Sequence, residues 1–560
     1  MLREIGRLLT VKGDNPFRAQ AYERGARALE NFSGAFDQLL RQQRLEEISG
    51  IGAALAALIE EIYETGECYA LQRLREELPT GAVELSALPG LTLKKITALH
   101  DALNIENIPD LKTACEAGLV RKVKGFGEKS EAKLLADIDK LSEERERVLL
   151  HHALAEAERV LAYLRAEPQT LGAEVAGALR RRKESVRQIS LVASSREPKA
   201  VLDRFLAYPA LAETNELTEL SCSGRLARGL DVELHVVLPE NYAETLQRMT
   251  GSRAHIEKLD LVAQKKGSHL ATKSSNGHGG KVKIKDEAEI YARLGMSYIP
   301  PEIREDEGEI EAALAGKLPE LVTIDDIQGM IHCHTHYSDG QNSIEEMALG
   351  AEALGMKYLT ITDHSPTAYY ARGVTLDRLR AQWDEIDRVQ ERVKIKLLRG
   401  TESDITADGL LDYPDAMLER FDVIIASIHS RHKMNSDQMT QRLLRVLQLP
   451  VFKIWGHPLG RIVESRPPID CRIEEILDAI AVSRAVIEVN GDPHRLDLEP
   501  RWIRTARRRG IKFVISTDAH SVNGMGALPY GVAMARRGWL SRDDVLNTRS
   551  ADEFARAVHP

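Results

Sequence analysis

From residue 327 onward, short apolar, β-prone runs alternate with stretches whose apolar residues recur at helical spacing. Tyr358–Thr362, Val393–Arg399, Val423–Ser427, Val451–Trp455, Ala485–Val489 and Lys512–Ser516 are predicted as parallel strands, most of them buried on both faces. Lys394 and Lys396 interrupt Val393–Arg399, the weakest of these runs. Ile344–Ala353 and Ile503–Arg509 are among the helices expected between them. Six or seven βα units in succession predict a barrel of TIM type.

The first 320 residues follow another pattern. Short helices are expected over residues 1 to about 75, and a further helical stretch over roughly 145–166. Asn15-Pro16-Phe17 opens one helix, with Asn15 as N-cap and Pro16 at the first helical position. Phe17, Ala21, Ala28 and Leu29 mark its apolar face. Ile48-Ser49-Gly50-Ile51-Gly52 precedes a helix over Ala53–Tyr63. A hydrophobic-x-Gly-hydrophobic-Gly turn of this kind allows close backbone approach, and the free N–H groups of the following helix can hold a phosphate. Val123-Lys124-Gly125-Phe126-Gly127-Glu128-Lys129 repeats the pattern with flanking lysines. Leu88-Pro89-Gly90-Leu91-Thr92 is a weaker copy, with Thr92 at the second glycine position. Singly, each is equally well an ordinary helix–helix turn. Three within 130 residues favour binding the DNA backbone through Gly50, Gly52, Gly90, Lys124, Gly125, Gly127 and Lys129, without reading sequence.

Candidate chemistry gathers in the second pattern. His332-Cys333-His334, Ser338-Asp339-Gly340, Thr362-Asp363-His364, Gly400-Thr401-Glu402, Ser427-Ile428-His429, Gly456-His457-Pro458, Glu488-Val489-Asn490 and Asp518-Ala519-His520 mostly come directly after an apolar run. In such barrels that end of the strands builds the active site. His332, His334, Asp339, His364, Glu402, His429, His457, Asp518 and His520 are therefore candidate metal ligands. Mixed imidazole and carboxylate donors without thiolate favour Zn²⁺, Mn²⁺ or Fe²⁺ over Ca²⁺, and argue against a purely structural zinc. Arg461, Lys433, His494 and Arg495 are candidates for holding substrate phosphate, with plain surface charge as the alternative. Asp363 and Asn490 are expected to orient ligands.

Composition adds limits. At 560 residues the chain is too long for one core. Its 43% hydrophobic and 29% charged content are ordinary for a soluble protein, and its net charge of −9 gives no global reason to bind nucleic acid. The five cysteines are scattered without CxxC spacing, which argues for a reducing compartment and against both a disulfide framework and a Cys-based zinc module. No apolar leader or membrane-length run is present, so a cytoplasmic protein is expected.

A resemblance joins the two halves. Val175–Val192, with its Arg180-Arg181-Arg182-Lys183-Glu184 run, is similar to the palm motif of the family X DNA polymerases. Gly229–Val237, Thr250-Gly251-Ser252-Arg253-Ala254-His255, Tyr291–Gly295 and Tyr298–Glu305 match later palm and thumb segments in order. The resemblance covers residues 1–315. It implies an N-terminal helical DNA-binding domain over 1–75, fingers with helix-hairpin-helix motifs over 76–150, a palm over 151–250 and a thumb over 251–315. Residues 306–326 are acidic with a short Ala-rich patch and mark the linker region, with the linker itself expected over 316–326. The family's three metal-binding aspartates should fall at 188, 190 and 233, where this chain has Gln188, Ser190 and Glu233. Two-metal nucleotidyl transfer needs those carboxylates, so no templated synthesis is expected. Ala178 replaces a serine that helps hold nucleotide phosphates, and Ile256 an expected asparagine. The family's lyase chemistry needs a lysine amine, and no lysine lies between Lys12 and Lys94. The Lys- and Gly-rich stretch 265–285 is either a solvated loop or a further phosphate contact.

Residues 327–560 closely resemble the PHP (polymerase and histidinol phosphatase) domain, a distorted (β/α)7 barrel. Here every implied position is filled. The resemblance implies two to three divalent ions. His332, His334, Glu402 and Asp518 would hold the first, and these four with Arg461 form the expected catalytic set. Glu402 would bridge to a second ion held also by His429 and His457. Asp339, His364 and His520 would hold a third. The expected activity is a metal-dependent 3′–5′ exonuclease or 3′-end processing enzyme acting on gapped, nicked or 3′-recessed DNA, with abasic-site cleavage as a further option, in a monomer with no membrane partner. An active family X polymerase and a phosphatase of the histidinol-phosphatase type are the alternatives.

Overall fold

The computed structural model describes residues 2–31, 36–42, 44–48, 50–65, 68–76, 82–86, 88, 91–145, 147–227, 229–266 and 284–559. Pro89-Gly90 and residues 267–283 of the lysine-rich stretch lie outside the described residues. The chain divides into two compact units, Met1–Glu146 and Arg147–Pro560.

The first unit is helical and has its own apolar core. Asn15 caps its second helix, Pro16–Asn31, by accepting from Phe17 N–H at 2.9 Å. Phe17, expected on the buried face, is 77% exposed, because it sits in the first turn where the chain enters the helix. All three glycine-bearing turns close with the same backbone bond: Ile51 N–H to Ile48 O at 3.0 Å, Leu91 N–H to Leu88 O at 3.2 Å and Phe126 N–H to Val123 O at 3.0 Å. Ile48, Ile51, Leu88, Leu91 and Val123 are buried, so each turn is pinned by apolar residues at its ends. Gly50 and Gly125 both adopt φ +97°, a conformation that disfavours any side chain. Helices Ala53–Thr65, Leu93–Leu103 and Glu128–Arg145 come directly after these turns.

The second unit begins with a five-stranded sheet in the order Gly172–Val175, Gln188–Ser194, Asp231–Val237, Ser221–Leu226, Leu211–Leu217. Its two central strands run parallel, with Gln188 opposite Asp231 and Ser190 opposite Glu233. Helices Arg253–Lys265, Glu287–Arg293 and Glu309–Leu314 then pack around their own small core. In the segment expected as a linker, Val322 is fully buried and its N–H bonds Leu540 O at 2.9 Å, which fastens this segment to the C-terminal barrel.

The barrel is built of parallel strands in sequential order: β1 (Gly329–Met330), β2 (Tyr358–Ile361), β3 (Lys396–Asp404), β4 (Val423–Ser427), β5 (Ile454–Trp455), β6 (Val486–Asn490) and β7 (Phe513–Ser516). The strand expected over Val393–Arg399 starts and ends later. Residues Gly400 to Asp404 pair with Val423 to Ser427, so Glu402 lies within the strand and not after it. β1 and β7 do not pair along their length. Near the mouth the gap closes through Ala519, whose N–H bonds His332 O at 3.1 Å and whose carbonyl accepts from His334 N–H at 2.8 Å. Lower down, the buried Asn547 side chain satisfies both edges, donating to Gly329 O at 3.0 Å and Ile515 O at 2.8 Å and accepting from Ile515 N–H.

The barrel floor is apolar. Ile331, Leu398, Ile425, Ile454, Val486 and Val514 meet Phe554 and Val558 of the last helix, Ala551–Val558. The two-residue period of a strand then places Glu402 and Glu488 on the same inward faces, above this floor.

Candidate metal centre

The nine candidate ligands converge at the C-terminal mouth of the barrel. His332 Nε2 lies 3.5 Å from Glu402 Oε2 and 3.4 Å from Asp518 Oδ1, and His334 Nε2 lies 3.1 Å from Asp518 Oδ1. His364 Nδ1 is 2.9 Å from Glu402 Oε2, while His429 and His457 approach Glu402 Oε1 at 3.2 and 2.9 Å. Asp339 Oδ1 is 3.7 Å from His364 Nε2 and 3.4 Å from His520 Nε2. Three sets have ligand atoms mutually within 4.8 Å: His332, His334, Glu402 and Asp518; His364, Glu402 and His429; His334, Asp339, His364 and His520. The first coincides with the set expected for the first ion. The other two share members more than expected, since His334 and His364 each take part in two sets. His457 stays beside Glu402 and lies 3.3 Å from His429.

The side chains fit divalent cations. His332 Nε2, His334 Nδ1, Asp339 Oδ1, His364 Nδ1 and Glu402 Oε2 are buried and lack a hydrogen bond of acceptable geometry, although they crowd one another. Buried polar atoms are rarely left so, and donors of this type pointed at a common centre are what an ion requires. Burial opposes charge on His429, but Glu402 and Asp404 outweigh it and lift the imidazole to about 10. The same contest, won by Asp339 and Asp518, raises His520 to about 9. Glu402 and Asp518 are themselves held well below the usual carboxylate range against their burial, by His429, His364 and His332 for Glu402 and by His332 and His334 for Asp518. His334 goes the other way, to about 4, because burial and the neighbouring His520 and His364 disfavour a further positive charge. Backbone strain marks the same place: Asp518 has φ +52° and His457 φ +22°.

Two carboxylates that shape the site carry no role in the sequence reading: Glu488, named there only as part of its stretch, and Asp404, which is not named. Glu488 Oε1 accepts from His332 Nδ1 at 2.6 Å, and its other oxygen accepts from His457 N–H. Asp404 accepts from His429 Nδ1 at 2.6 Å. Each fixes the tautomer that turns the opposite nitrogen inward. Asp404 was legible in principle, being two residues from Glu402 on a strand. Asn490 spans Glu488 and Asp518 at 3.3 and 3.5 Å, as expected of a residue that orients ligands. Asp363 does something different: it accepts from Thr335 N–H, Thr335 Oγ1, Ser338 Oγ and Gln382 Nε2, and so fixes the loop after β1, not a ligand side chain.

Arg461, expected in the catalytic set, is corrected by its surroundings. Its guanidinium is buried, donates to the carbonyls of Arg495 and Leu496, and reaches Glu184 at 3.4 Å and Glu499 at 3.4 Å. Those partners commit it to holding a loop. The loop carries Arg495, whose Nε lies 3.5 Å from Asp518 Oδ2 at the mouth. His494 bonds Asp492 at 3.1 Å and packs on His151, with ring centroids 5.0 Å apart, and Lys433 is exposed. At the other expected site, Gln188 Nε2 lies 3.3 Å from Ser190 Oγ, and Asp231 pairs with Arg225 at 2.7 Å, so Glu233 is the carboxylate left there. In the first unit Lys124, Lys129, Gly50, Gly52, Gly125 and Gly127 are exposed on their turns, and Gly90 lies outside the described residues.

Among the described residues no helix is long and apolar enough to cross a membrane. Family models match in four places: a helix-hairpin-helix domain over residues 1–68, a SAM-like helix-hairpin-helix tandem over 82–140, a DNA polymerase beta thumb over 245–305 and a PHP domain over 331–492. The chain is 28% identical over 233 residues to a probable phosphatase of Thermoanaerobacter sp. (strain X514), which covers 39% of this chain and 90% of that protein. It is 24% identical over 241 residues to a probable phosphatase of Aliivibrio fischeri, covering 39% and 89%. Over 555 residues, 98% of this chain and 96% of the relative, it is 33% identical to the DNA polymerase/3′-5′ exonuclease PolX of Bacillus subtilis (strain 168). Near-complete coverage at that identity, with helix-hairpin-helix, thumb and PHP segments in one order, shows that the chain belongs to the PolX family, the family X DNA polymerases with a C-terminal PHP domain.

Proposed function

We propose that the barrel mouth is a metal-dependent phosphodiesterase acting on DNA 3′ ends, a 3′–5′ exonuclease serving repair, and that the palm performs no templated synthesis. The observation that carries this is the contrast in carboxylates: Glu402, Asp518 and Asp339 stand among six imidazoles at the mouth, while Gln188 and Ser190 leave Glu233 at the palm. Divalent ions bound at the mouth supply charge against phosphate oxygens and make water nucleophilic near neutral pH. The chain's own groups do the rest. Glu402 lies between the imidazole sets and offers an oxygen to each side. Glu488 and Asp404 hold His332 and His429 through Nδ1, which leaves Nε2 turned inward as the atom that would ligate once a cation displaces its proton. Arg495, 3.5 Å from Asp518 at the mouth, is the guanidinium that would hold the substrate phosphate. No protein nucleophile is required.

Mn²⁺ and Zn²⁺ are the proposed ions, with Fe²⁺ as a further candidate, two to three per chain. The helix-hairpin-helix turns would deliver gapped, nicked or 3′-recessed DNA by its backbone, with domain limits at 75, 150, 250, 315 and 326 and a cytoplasmic monomer as the working form. Removal of blocked 3′ termini and cleavage at abasic sites fit the same chemistry. The histidinol-phosphatase reading leaves three phosphate-cradling turns without a use. The deciding experiment is a Mn²⁺-dependent assay on 3′-recessed and gapped duplexes, comparing wild type with His332→Ala/His334→Ala, alongside primer extension with Mg²⁺ and Mn²⁺. Loss of 3′ degradation in the variant and no dNTP incorporation by wild type are expected. Undiminished degradation would remove the site assignment, and clear incorporation would overturn the reading of the palm.

A further inference from the structure

Beside the cluster of candidate ligands the loop after β2 carries two large aromatic side chains in solvent. Tyr369 is 85% exposed and Tyr370 67% exposed. Exposed aromatics on a loose loop mean little, but this loop is anchored. Ala368 and Ala371, which bracket the pair, are buried. Ala368 N–H bonds Ser365 O at 3.1 Å, Ala371 N–H bonds Ala368 O at 3.0 Å, and Val374 N–H returns to His364 O at 2.8 Å. Thr367 N–H donates to Asp412 at 2.7 Å. Gly373 packs so tightly that a Cβ there would meet Ser365 O at 2.0 Å. The two rings are therefore held out from a short 3-10 turn at a fixed place.

That place is the rim of the site. The Tyr370 ring centroid lies 5.9 Å from that of His364 and 6.2 Å from that of His429, both edge-on. A phosphodiester bound at the cluster would have its attached nucleoside at this distance. Aromatic rings at such a spot offer a π-face to any base, and a 3′-terminal base separated from its complement has an exposed face to give.

We infer that Tyr370, with Tyr369 beside it, is a stacking platform for the nucleobase of the 3′-terminal nucleotide, which selects a nucleic-acid end over a small phosphate ester. The inference rests on the 3′-end nuclease reading above and names its substrate subsite. Base–aromatic stacking of this kind amounts to about 5- to 150-fold on alanine substitution.

The test has a binding arm and a cleavage arm. A single-stranded oligonucleotide with 2-aminopurine at its 3′ terminus is titrated with metal-free full-length protein. Wild type and Tyr370→Phe should quench the fluorophore, and Tyr370→Ala should not. In Mn²⁺, Tyr370→Ala should raise KM and lower kcat/KM on ordinary 3′ ends by about 5- to 150-fold, with Tyr370→Phe near wild type. With a base-free tetrahydrofuran residue at the 3′ terminus, wild type and Tyr370→Ala should behave alike. Equal quenching by wild type and Tyr370→Ala overturns the platform, as does an equal loss on base-bearing and base-free ends. A Tyr370→Phe defect as deep as that of Tyr370→Ala also overturns it, since the hydroxyl would then be the acting group. If wild type fails to cut any 3′ end, the nuclease reading falls, while the fluorescence arm still decides whether the base stacks.

Discussion

The unit Arg147–Pro560 contains two places where parallel strands bring acidic positions together, and they have been filled in opposite ways. In the palm, Ser190 faces Glu233 across two neighbouring strands. The backbone frame for carboxylates is intact and the flanking Ile189, Leu191, Val232 and Leu234 are buried, yet Gln188 and Ser190 offer no charge. In the barrel, Glu402 and Glu488 sit on inward faces one layer above an apolar floor, and imidazoles complete the set. The difference teaches that strand packing and site chemistry are separable. Inward apolar residues hold each sheet, and the polar residues beside them decide whether a divalent ion can stay.

The largest test of this contrast removes the barrel ligands. Lewis-acid stabilisation of a phosphoryl transition state is several kcal/mol, so His332→Ala/His334→Ala should lower Mn²⁺-dependent 3′ cleavage by roughly a thousandfold. Calorimetric titration should show lost metal stoichiometry in the same variant. If the barrel is the sole metal centre, no Mn²⁺ should remain that titrates into the palm. Residual tight binding there would break the contrast.

A smaller effect is expected one layer out. Glu488→Gln keeps the size of the side chain but weakens its hold on His332 Nδ1. Metal affinity should fall by about 10–100-fold, with folding unchanged by circular dichroism. Unaltered affinity would mean that Glu402 and Asp518 alone set the orientation of His332.

How far the sequence reaches can be seen in these residues. Glu402, His332 and His364 were legible because each stands at or near the end of an apolar run, where barrel geometry gives the position meaning. Glu488 stood in an equally visible place, but nothing in its spacing says that it faces an imidazole and not an ion. Arg461 shows a related limit: a cation after a strand has the same sequence signature whether it meets phosphate or a partly buried carboxylate from 277 residues away. The closure of the barrel by Ala519 and Asn547 was invisible, since it depends on which two edges fail to pair.

Glu184 links the two regions and sharpens the comparison further. It is held by Arg537 at 2.7 Å and Arg461 at 3.4 Å, and Arg461 in turn carries the carbonyls of the Arg495 loop. Despite burial, those two guanidinium groups hold its carboxyl down at about 2, from 4.5. A depressed carboxylate stabilises above its unfolded pKa and loses that contribution as pH falls from about 4.5 towards 2; the shift corresponds to about 3 kcal/mol. Glu184→Gln should therefore shift the urea midpoint at pH 7, and the gap to wild type should shrink as pH drops below 4.5. A several-fold fall in 3′ cleavage is expected to accompany it, through Arg495. A gap that stays constant down to pH 3 would show that the pairing contributes little.

The smallest effects belong to the first unit. Lys124 and Lys129 flank a turn in which Gly125 has φ +97° and both lysines are exposed. If they contact phosphates without reading bases, Lys124→Ala and Lys129→Ala should each weaken duplex binding a few-fold at physiological salt. The loss should be the same for unrelated sequences, and each should reduce the slope of log affinity against log salt by about 0.9. Cleavage of a short single-stranded 3′ end, which reaches the barrel without this grip, should be spared. A change in sequence preference, or an unchanged salt slope, would place the DNA backbone elsewhere. The turn would then be what its sequence alone also permits, a joint between two helices packed through Val120, Val123 and Leu134.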